Sequence, residues 1–169
     1  VIGATNQVVR FTVQYDGNVA NTAYGSCAGA YTNSAANMGW GNYSYLVPVE
    51  SKYDSLFAPQ EYYPKVSTVD TKQMRINIIK MVGQDVYNRY ASNMSQWITR
   101  VDKDGYGNIT SAVVCGVTIS GGKFYDLCYM GPYGANLNSW QYNGNGTWTF
   151  STNGFGHSVG MSQYGAAGY

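Results

Sequence analysis

Apolar and polar residues alternate along several short stretches of this chain, and glycine, asparagine or aspartate separates the stretches. Alternation with a period of two is typical of strands that bury one face, and the polar clusters between them are typical of turns. Asp16-Gly17-Asn18 and Gly121-Gly122 are hairpin signals. The predicted strands are residues 7–15, 19–24, 45–49, 97–101, 109–119, 123–129 and 148–150.

The period becomes helical after Thr71, where apolar residues recur every three or four positions. Asp70 or Thr71 can cap this helix, and Gly83 is expected to divide it into two short helices. We expect residues 50–70 to form irregular surface. The pattern predicts an α+β fold: one antiparallel β-rich domain over residues 1–169, with a short helical segment near residues 71–92 and a glycine-rich loop leading to a C-terminal helix.

The composition excludes some classes of function. Charged residues make up 11% of the chain and the net charge is +1, which argues against binding of nucleic acid. No apolar run is long enough to span a membrane. The 17 tyrosines and 21 glycines suit a surface that contacts sugars, or equally a β-rich fold that packs tyrosine on its sheets.

The three cysteines leave at least one thiol unpaired. A two-residue loop at Gly121-Gly122 would place Cys115 opposite Cys128, with Cα atoms about 4.5 Å apart in a non-hydrogen-bonded pair. That spacing permits a disulfide, and two buried thiols are the alternative. Cys27 remains, and no two-cysteine zinc spacing is present. We therefore expect no metal and no cofactor.

Residues 102–109 have the spacing of a calcium loop at their start, with Asp102 and Asp104 at the first and third positions. The twelfth position would be Val113, where such a loop needs a bidentate glutamate. A hairpin turn between two strands is the favoured interpretation.

The final residues, 149–169, read T-F-S-T-N-G-F-G-H-S-V-G-M-S-Q-Y-G-A-A-G-Y and contain the only histidine, His157. They resemble the closing signature of the stage II sporulation protein D/LytB (SpoIID-like) family, G-x-G-[WF]-G-H-G-V-G-M-S-Q-[YW]-G-A. Asn153 and Ser158 depart from that signature.

Three earlier segments support the resemblance. Residues 23–32 resemble A-x-Y-H-S-x-[SC]-G-G-x-T, with Gly25 where the family usually has histidine. Residues 37–49 are similar to a "VWG…PYLxSV" portion. Residues 137–142 resemble L-R-S-T-N-F, with Asn138 replacing the arginine.

The resemblance implies an extracellular or envelope protein of a bacterium that acts on the glycan strands of peptidoglycan, alongside other cell-wall hydrolases. SpoIID-like lytic transglycosylases cleave the bond between N-acetylmuramic acid and N-acetylglucosamine without water and leave a 1,6-anhydro end. A non-catalytic peptidoglycan-binding module or an amidase enhancer of the same family is the alternative.

The family's catalytic acid is a glutamate in a segment resembling G-V-[VL]-x-x-E-M. None of the nine carboxylates here matches it, so we expect the acid outside this chain and the domain to be truncated at both ends. The nine are Asp16, Glu50, Asp54, Glu61, Asp70, Asp85, Asp102, Asp104 and Asp126.

His157 and Gln163 are expected to line the glycan cleft, with Tyr24 and Ser26 opposite them. A histidine near neutral pKa can transfer protons or bind an acetamido group. The alternative for His157 is structural, with the ring bonded to backbone carbonyls so that it fixes the glycine-rich turn. Other candidate substrate-binding residues are Ser139 and the aromatic Trp40, with Tyr43 and Trp140 as further aromatic platforms or as core residues.

Overall fold

The computed structural model describes residues 11–127 and 136–169. Its strands are β1 (Gln14–Tyr15), β2 (Asn18–Val19), β3 (Tyr24–Gly25), β4 (Lys65–Asp70), β5 (Ile98–Lys103), β6 (Ile109–Val114), β7 (Val117–Ser120), β8 (Asn136–Tyr142), β9 (Thr147–Asn153) and β10 (Met161–Ser162). Its α-helices are α1 (Asp54–Phe57), α2 (Thr71–Val82), α3 (Gln84–Tyr90), α4 (Gly121–Leu127) and α5 (Gln163–Gly168). The fold is α+β, as the sequence predicted.

Two three-stranded antiparallel sheets organise the described residues. One has the order β4-β9-β8 and the other the order β5-β6-β7. Strands β1 and β2 form a small antiparallel hairpin, whereas β3 and β10 pair in parallel. This last pair joins the beginning of the described chain to its end, and it carries the candidate site.

The main core lies between the two three-stranded sheets and helices α2 and α4. Met74 and Ile78 on α2, Phe124 on α4 and Phe150 on β9 are completely buried in it. Burying each such side chain contributes roughly 1.5–3 kcal/mol. A smaller core of Ala35, Met38, Leu46 and Val159 supports the glycine-rich loop, because Val159 belongs to that loop.

The helical segment near residues 71–92 is confirmed as α2 and α3. The Asp70 carboxylate accepts the Lys72 N–H at 2.6 Å, which satisfies one of the donors at the start of α2. Gly83 separates the two helices with a φ of +88°. The hairpin at Asp16-Gly17 and the strand that begins near Trp97 are confirmed as well.

The predicted strands 109–119 and 123–129 are wrong. Residues 109–119 bend back at Cys115-Gly116, where φ is +46° and +76°, and so form the hairpin β6–β7. Gly121-Gly122 begins helix α4 instead of a turn. A Cβ on Gly122 would overlap the Met38 carbonyl, so this glycine is required by tertiary packing.

The register that placed Cys115 opposite Cys128 is wrong for the same reason, because residues 121–127 are helical. Cys115 is a buried free thiol at the tip of the β6–β7 hairpin, and burial raises its pKa to about 11. Cys128 lies outside the described residues, as do residues 7–10 of the first predicted strand.

Two further expectations for the first half of the chain are wrong. Residues 45–49 form no strand and instead run as a loop, in which Leu46 accepts the Ala35 N–H. Residues 50–70, expected to be irregular, contain α1 and the edge strand β4. Ser67 and Val69 are the buried residues of β4, whereas Val66 is exposed, so the apolar pattern of this strand does not follow its buried face.

Candidate functional site

The glycine-rich stretch near the C-terminus lies against residues 23–29, and backbone hydrogen bonds join the two segments. The Cys27 N–H donates to the Phe155 carbonyl at 3.2 Å, and the Phe155 N–H donates to the Cys27 carbonyl at 2.8 Å. Further along, Met161 of β10 pairs with Tyr24 of β3. The two most specific motifs of the sequence therefore form one continuous surface.

Two glycines permit this close approach. Gly160 has a φ of +75°, and a Cβ there would overlap the carbonyl oxygen of Ala23. Gly154 has a φ of +87°, and a Cβ there would lie 2.7 Å from the carbonyl oxygen of Cys27. Other residues rarely adopt positive φ and would collide with backbone. The glycines of the motif thus serve packing between segments.

His157 is half-buried on the loop between these glycines, and both ring nitrogens are engaged by backbone groups. Nδ1 accepts the Val159 N–H at 3.0 Å, so the proton of the neutral ring is on Nε2. A second hydrogen bond joins the ring to the Tyr24 backbone. Burial lowers the pKa of His157, and the bond to Tyr24 partly opposes this shift. The imidazole is therefore neutral at pH 7 and ties the loop to β3, which is the arrangement that the structural role requires.

The indole ring of Trp40 covers one side of this imidazole. The ring centroids are 4.6 Å apart with an interplanar angle of 62°, and Trp40 is 43% exposed. Gly25 lies on another side, where a Cβ would be 3.6 Å from Cε1 of His157. Because residue 25 is glycine, it has no side chain that could cover this side of the imidazole.

Position 25 faces His157, so the side chain of Tyr24, the preceding residue of β3, lies on the opposite face of the strand. Tyr24 on β3 is 61% exposed, and Gln163 begins α5 directly after Ser162, which pairs with Gly25. Ser26 follows β3 and is half-buried. Backbone pairing brings together the segments that carry Tyr24, Ser26, His157 and Gln163, and the Trp40 ring contacts the His157 ring.

Ser139 lies on a different element from these five residues. It is exposed on β8 opposite Ser151, in the three-stranded sheet. Trp140 packs against the main core and Tyr43 against the smaller one, which is the core alternative for both rings. A substrate-binding role for Ser139 stays a prediction.

An apolar cavity of about 660 Å³ borders the site. Tyr24 of β3 and Met161 of β10 line one part of the cavity. Val13, Leu46 and Val49 are among its other lining residues. The exposed ring of Tyr24 thus borders an apolar surface, which suits contact with C–H groups.

Asp54 is not among the residues that the sequence predicts for the site, although its carboxylate connects both motifs. Oδ2 accepts the Ala28 N–H at 2.7 Å, and Oδ1 accepts the Ser162 hydroxyl at 2.5 Å. Asp54 is completely buried. The local signal was ambiguous, because an acidic residue in the first turn of a helix is common for reasons of the helix dipole alone.

The thiol of Cys27 belongs to the same buried group. Its Sγ lies 3.0 Å from the Tyr63 hydroxyl. Burial raises the pKa of Cys27, and Asp54 adds to the rise, whereas hydrogen bonds with Tyr63 and the Gly29 backbone oppose it. The thiol is therefore protonated and weakly reactive.

No group of three or more metal-ligating side chains occurs in the described ranges 11–127 and 136–169. In the calcium-like loop, Oδ1 of Asp104 accepts the N–H groups of Tyr106 and Asn108, both at 2.9 Å. This carboxylate stabilises the turn of the β5–β6 hairpin. No helix in the described part of the chain is long and apolar enough to cross a membrane.

The described site offers an aromatic face on Trp40 and a side-chain amide on Gln163, whereas the imidazole of His157 is engaged by backbone. The Asp54 carboxylate contacts the backbone of the site at Ala28, and both carboxylate oxygens accept hydrogen bonds within the protein. An enclosed carboxylate of this kind does not reach a bound molecule. The arrangement suits recognition of a neutral, hydroxyl-rich ligand.

No protein-family model matches this chain. The chain is similar to stage II sporulation protein D of Bacillus amyloliquefaciens, with 28% identity over 152 residues. The match covers 90% of this chain and 40% of the relative, so the chain spans about 40% of the length of the curated relative that it matches. The similarity supports a SpoIID-like relationship, in agreement with the motifs at residues 23–32 and 149–169.

Proposed function

We propose that this chain forms the glycan-binding cleft of a SpoIID-like bacterial cell-wall protein that works in the envelope or outside the cell. One observation carries the proposal: the two motifs pair with each other, and His157, which bonds to the Tyr24 backbone, lies against the exposed ring of Trp40. Aromatic faces pack against the C–H faces of sugars, and a side-chain amide such as that of Gln163 binds hydroxyl and acetamido groups. Peptidoglycan glycan strands supply both kinds of group.

The reaction that we propose for the assembled protein is lytic transglycosylation. The bond between N-acetylmuramic acid and N-acetylglucosamine breaks as the sugar's own 6-hydroxyl attacks, which leaves a 1,6-anhydro end. One carboxylic acid protonates the glycosidic oxygen and helps to remove the hydroxyl proton. Asp54 does not suit this task, because it is enclosed and fully hydrogen-bonded.

We therefore assign to these 169 residues the binding and orientation of the strand rather than the proton transfer. A non-catalytic peptidoglycan-binding module, or an amidase enhancer, would need the same cleft. These functions differ from the transglycosylase in their products, because the transglycosylase leaves 1,6-anhydro ends on the glycan strands.

Binding is tested by titrating purified glycan strands into the chain. Trp40→Ala is expected to weaken binding by about tenfold or more, because loss of a central aromatic contact typically costs over 1 kcal/mol. Phe57→Ala is the matched control, since this ring is 51% exposed but packs on Tyr53. Equal affinities of both variants and the wild type would remove the Trp40 surface from the proposal.

Catalysis is tested by mass analysis of strands after incubation. This chain alone is expected to leave the strands intact, and the protein as the gene encodes it is expected to release anhydro-muramic ends. Anhydro ends produced by the chain alone would place the acid among its nine carboxylates. Binding without anhydro ends in either experiment would favour the non-catalytic module.

A further inference from the structure

We propose that Asp54 is the positioning residue of this site: its buried carboxylate holds the segment with Tyr24 and Ser26 and the segment with His157 and Gln163 in the alignment that binding needs. The inference deepens the proposed function and rests on it for its binding arm. Its basis is that two oxygens of one enclosed side chain contact two segments that are far apart in the sequence.

The first contact fixes the segment after β3. The Ala28 N–H donates to Oδ2 of Asp54 at 2.7 Å across 26 positions of sequence. Ala28 is buried, as is Cys27 before it. A charge-assisted hydrogen bond in an enclosed place is stronger than a neutral one, so this bond holds residues 26–28 at a defined distance from α1.

The second contact fixes the start of α5. The Ser162 hydroxyl lies 2.5 Å from Oδ1 of Asp54 and 3.3 Å from the Ser26 carbonyl. A hydroxyl has one proton, and the carboxylate, being closer and charged, receives it. The lone pairs of Ser162 are then free to accept the Gly165 N–H at 3.2 Å, which caps the helix whose first residue is Gln163.

The surroundings leave little room for another arrangement. A Cβ on Gly165 would lie 2.6 Å from the Ser51 hydroxyl and 3.1 Å from Oδ1 of Asp54. The backbone of α5 therefore rests directly on Asp54. A longer or shorter side chain at position 54 would move α5 and Gln163 relative to β3.

Asp54→Asn keeps the shape of the side chain and removes its charge. The amide oxygen is expected to keep the Ala28 bond, whereas the amide nitrogen faces Ser162 and turns the hydroxyl proton towards Ser26. Ser162→Ala breaks the second contact alone. Ile78→Val is the control for general destabilisation, because Ile78 is completely buried in the main core.

The single histidine of the chain gives a readout that does not depend on glycan. The Cε1–H signal of His157 in an NMR spectrum responds to the ring current of Trp40. We expect that signal to shift or broaden in Asp54→Asn and Ser162→Ala and to stay unchanged in Ile78→Val. We also expect glycan affinity per folded molecule to fall at least about fivefold in the first two variants, by analogy with loss of a charged hydrogen bond, and to be unchanged in the third.

If Asp54→Asn loses stability as Ile78→Val does while its His157 signal and glycan affinity remain those of the wild type, Asp54 is only structural and the inference is overturned. If the wild type does not bind glycan, the proposed function fails, and the His157 signal still decides whether Asp54 positions the site. Should Asp54→Asn not fold, Ser162→Ala decides both readouts.

Discussion

The carbonyl oxygen of Ala23 occupies the space that a Cβ on residue 160 would fill. The same oxygen accepts the Met161 N–H at 3.0 Å, so the contact with Gly160 and the pairing of β10 with β3 share one atom. A single backbone position thus controls how the closing motif meets residues 23–29.

Gly160→Ala is expected to destabilise the protein by about 3 kcal/mol or more, since it adds a backbone collision to the strain of positive φ. Gly156→Ala is the control, because Gly156 has a φ of +98° with no atom within 4 Å of its Cβ position. That control should cost about 1–2 kcal/mol from backbone strain alone. Urea unfolding measures both. Equal losses would mean that the collision is relieved by local movement.

The lowered pKa of His157 predicts a specific dependence of stability on pH. The unfolded state, with a pKa near its ordinary value of about 6.5, binds a proton before the folded state does. Stability is therefore constant with respect to this group above about pH 6.5 and is lost as pH falls through the lower folded pKa. A protonated Nδ1 also cannot accept the Val159 N–H.

His157→Asn retains an acceptor near Nδ1 and does not titrate. Its stability relative to the wild type should improve as pH falls from about 7.5 to 5.5, measured by thermal melting at each pH. Carboxylates titrate in both proteins and cancel in the comparison. A constant difference between the two proteins would show that burial of His157 has no effect on its ionisation.

Cys27 and Cys115 should both react slowly with iodoacetamide in the folded protein. Each is 1% exposed, and burial raises the pKa of both thiols, so thiolate is scarce at pH 8. Peptide mass spectrometry should find labelling at least about tenfold faster in urea for both cysteines. Rapid native labelling of Cys27 would contradict its place inside the Asp54 group.

Asp104→Ala should destabilise the protein by about 2 kcal/mol, because it leaves the backbone N–H of the buried Asn108, together with that of Tyr106, without its acceptor. Asp85→Ala, at an exposed position in the first turn of α3, should change stability by less than about 0.5 kcal/mol. Calcium chloride and EDTA should leave the melting temperature of the wild type unchanged. A rise with calcium that Asp104→Ala abolishes would identify the loop as a calcium site.

The parts of the fold that were predictable from sequence have local causes. Helices α2 and α3 follow from periodic apolar residues and from the cap at Asp70, and the first hairpin follows from Asp16-Gly17. The two motifs that carry the family resemblance, residues 23–32 and 149–169, do pack against each other. Each of these signals is contained in a short window of sequence.

The errors arose where a distant contact decides the local structure. In the sequence, Gly122 resembles a turn residue. In the structure, α4 begins against the backbone of Met38, and this contact leaves no room for a Cβ at position 122. Cys115 adopts a left-handed conformation that its residue type does not favour. Asp54 has partners 26 and 108 positions away, and no periodicity reports such a partnership.

The contact between Ser162 and the Ser26 carbonyl spans 136 positions, and this separation has a consequence for the order of events during synthesis. Closing so long a loop carries an entropic cost that only a largely formed framework offsets. The β3 segment leaves the ribosome long before β10, its partner, has been synthesised. Tyr24 and Ser26 therefore have no partner strand while the sheets and α2 form. A ribosome that stalls before residue 160 would release a chain with most of its core and without a site.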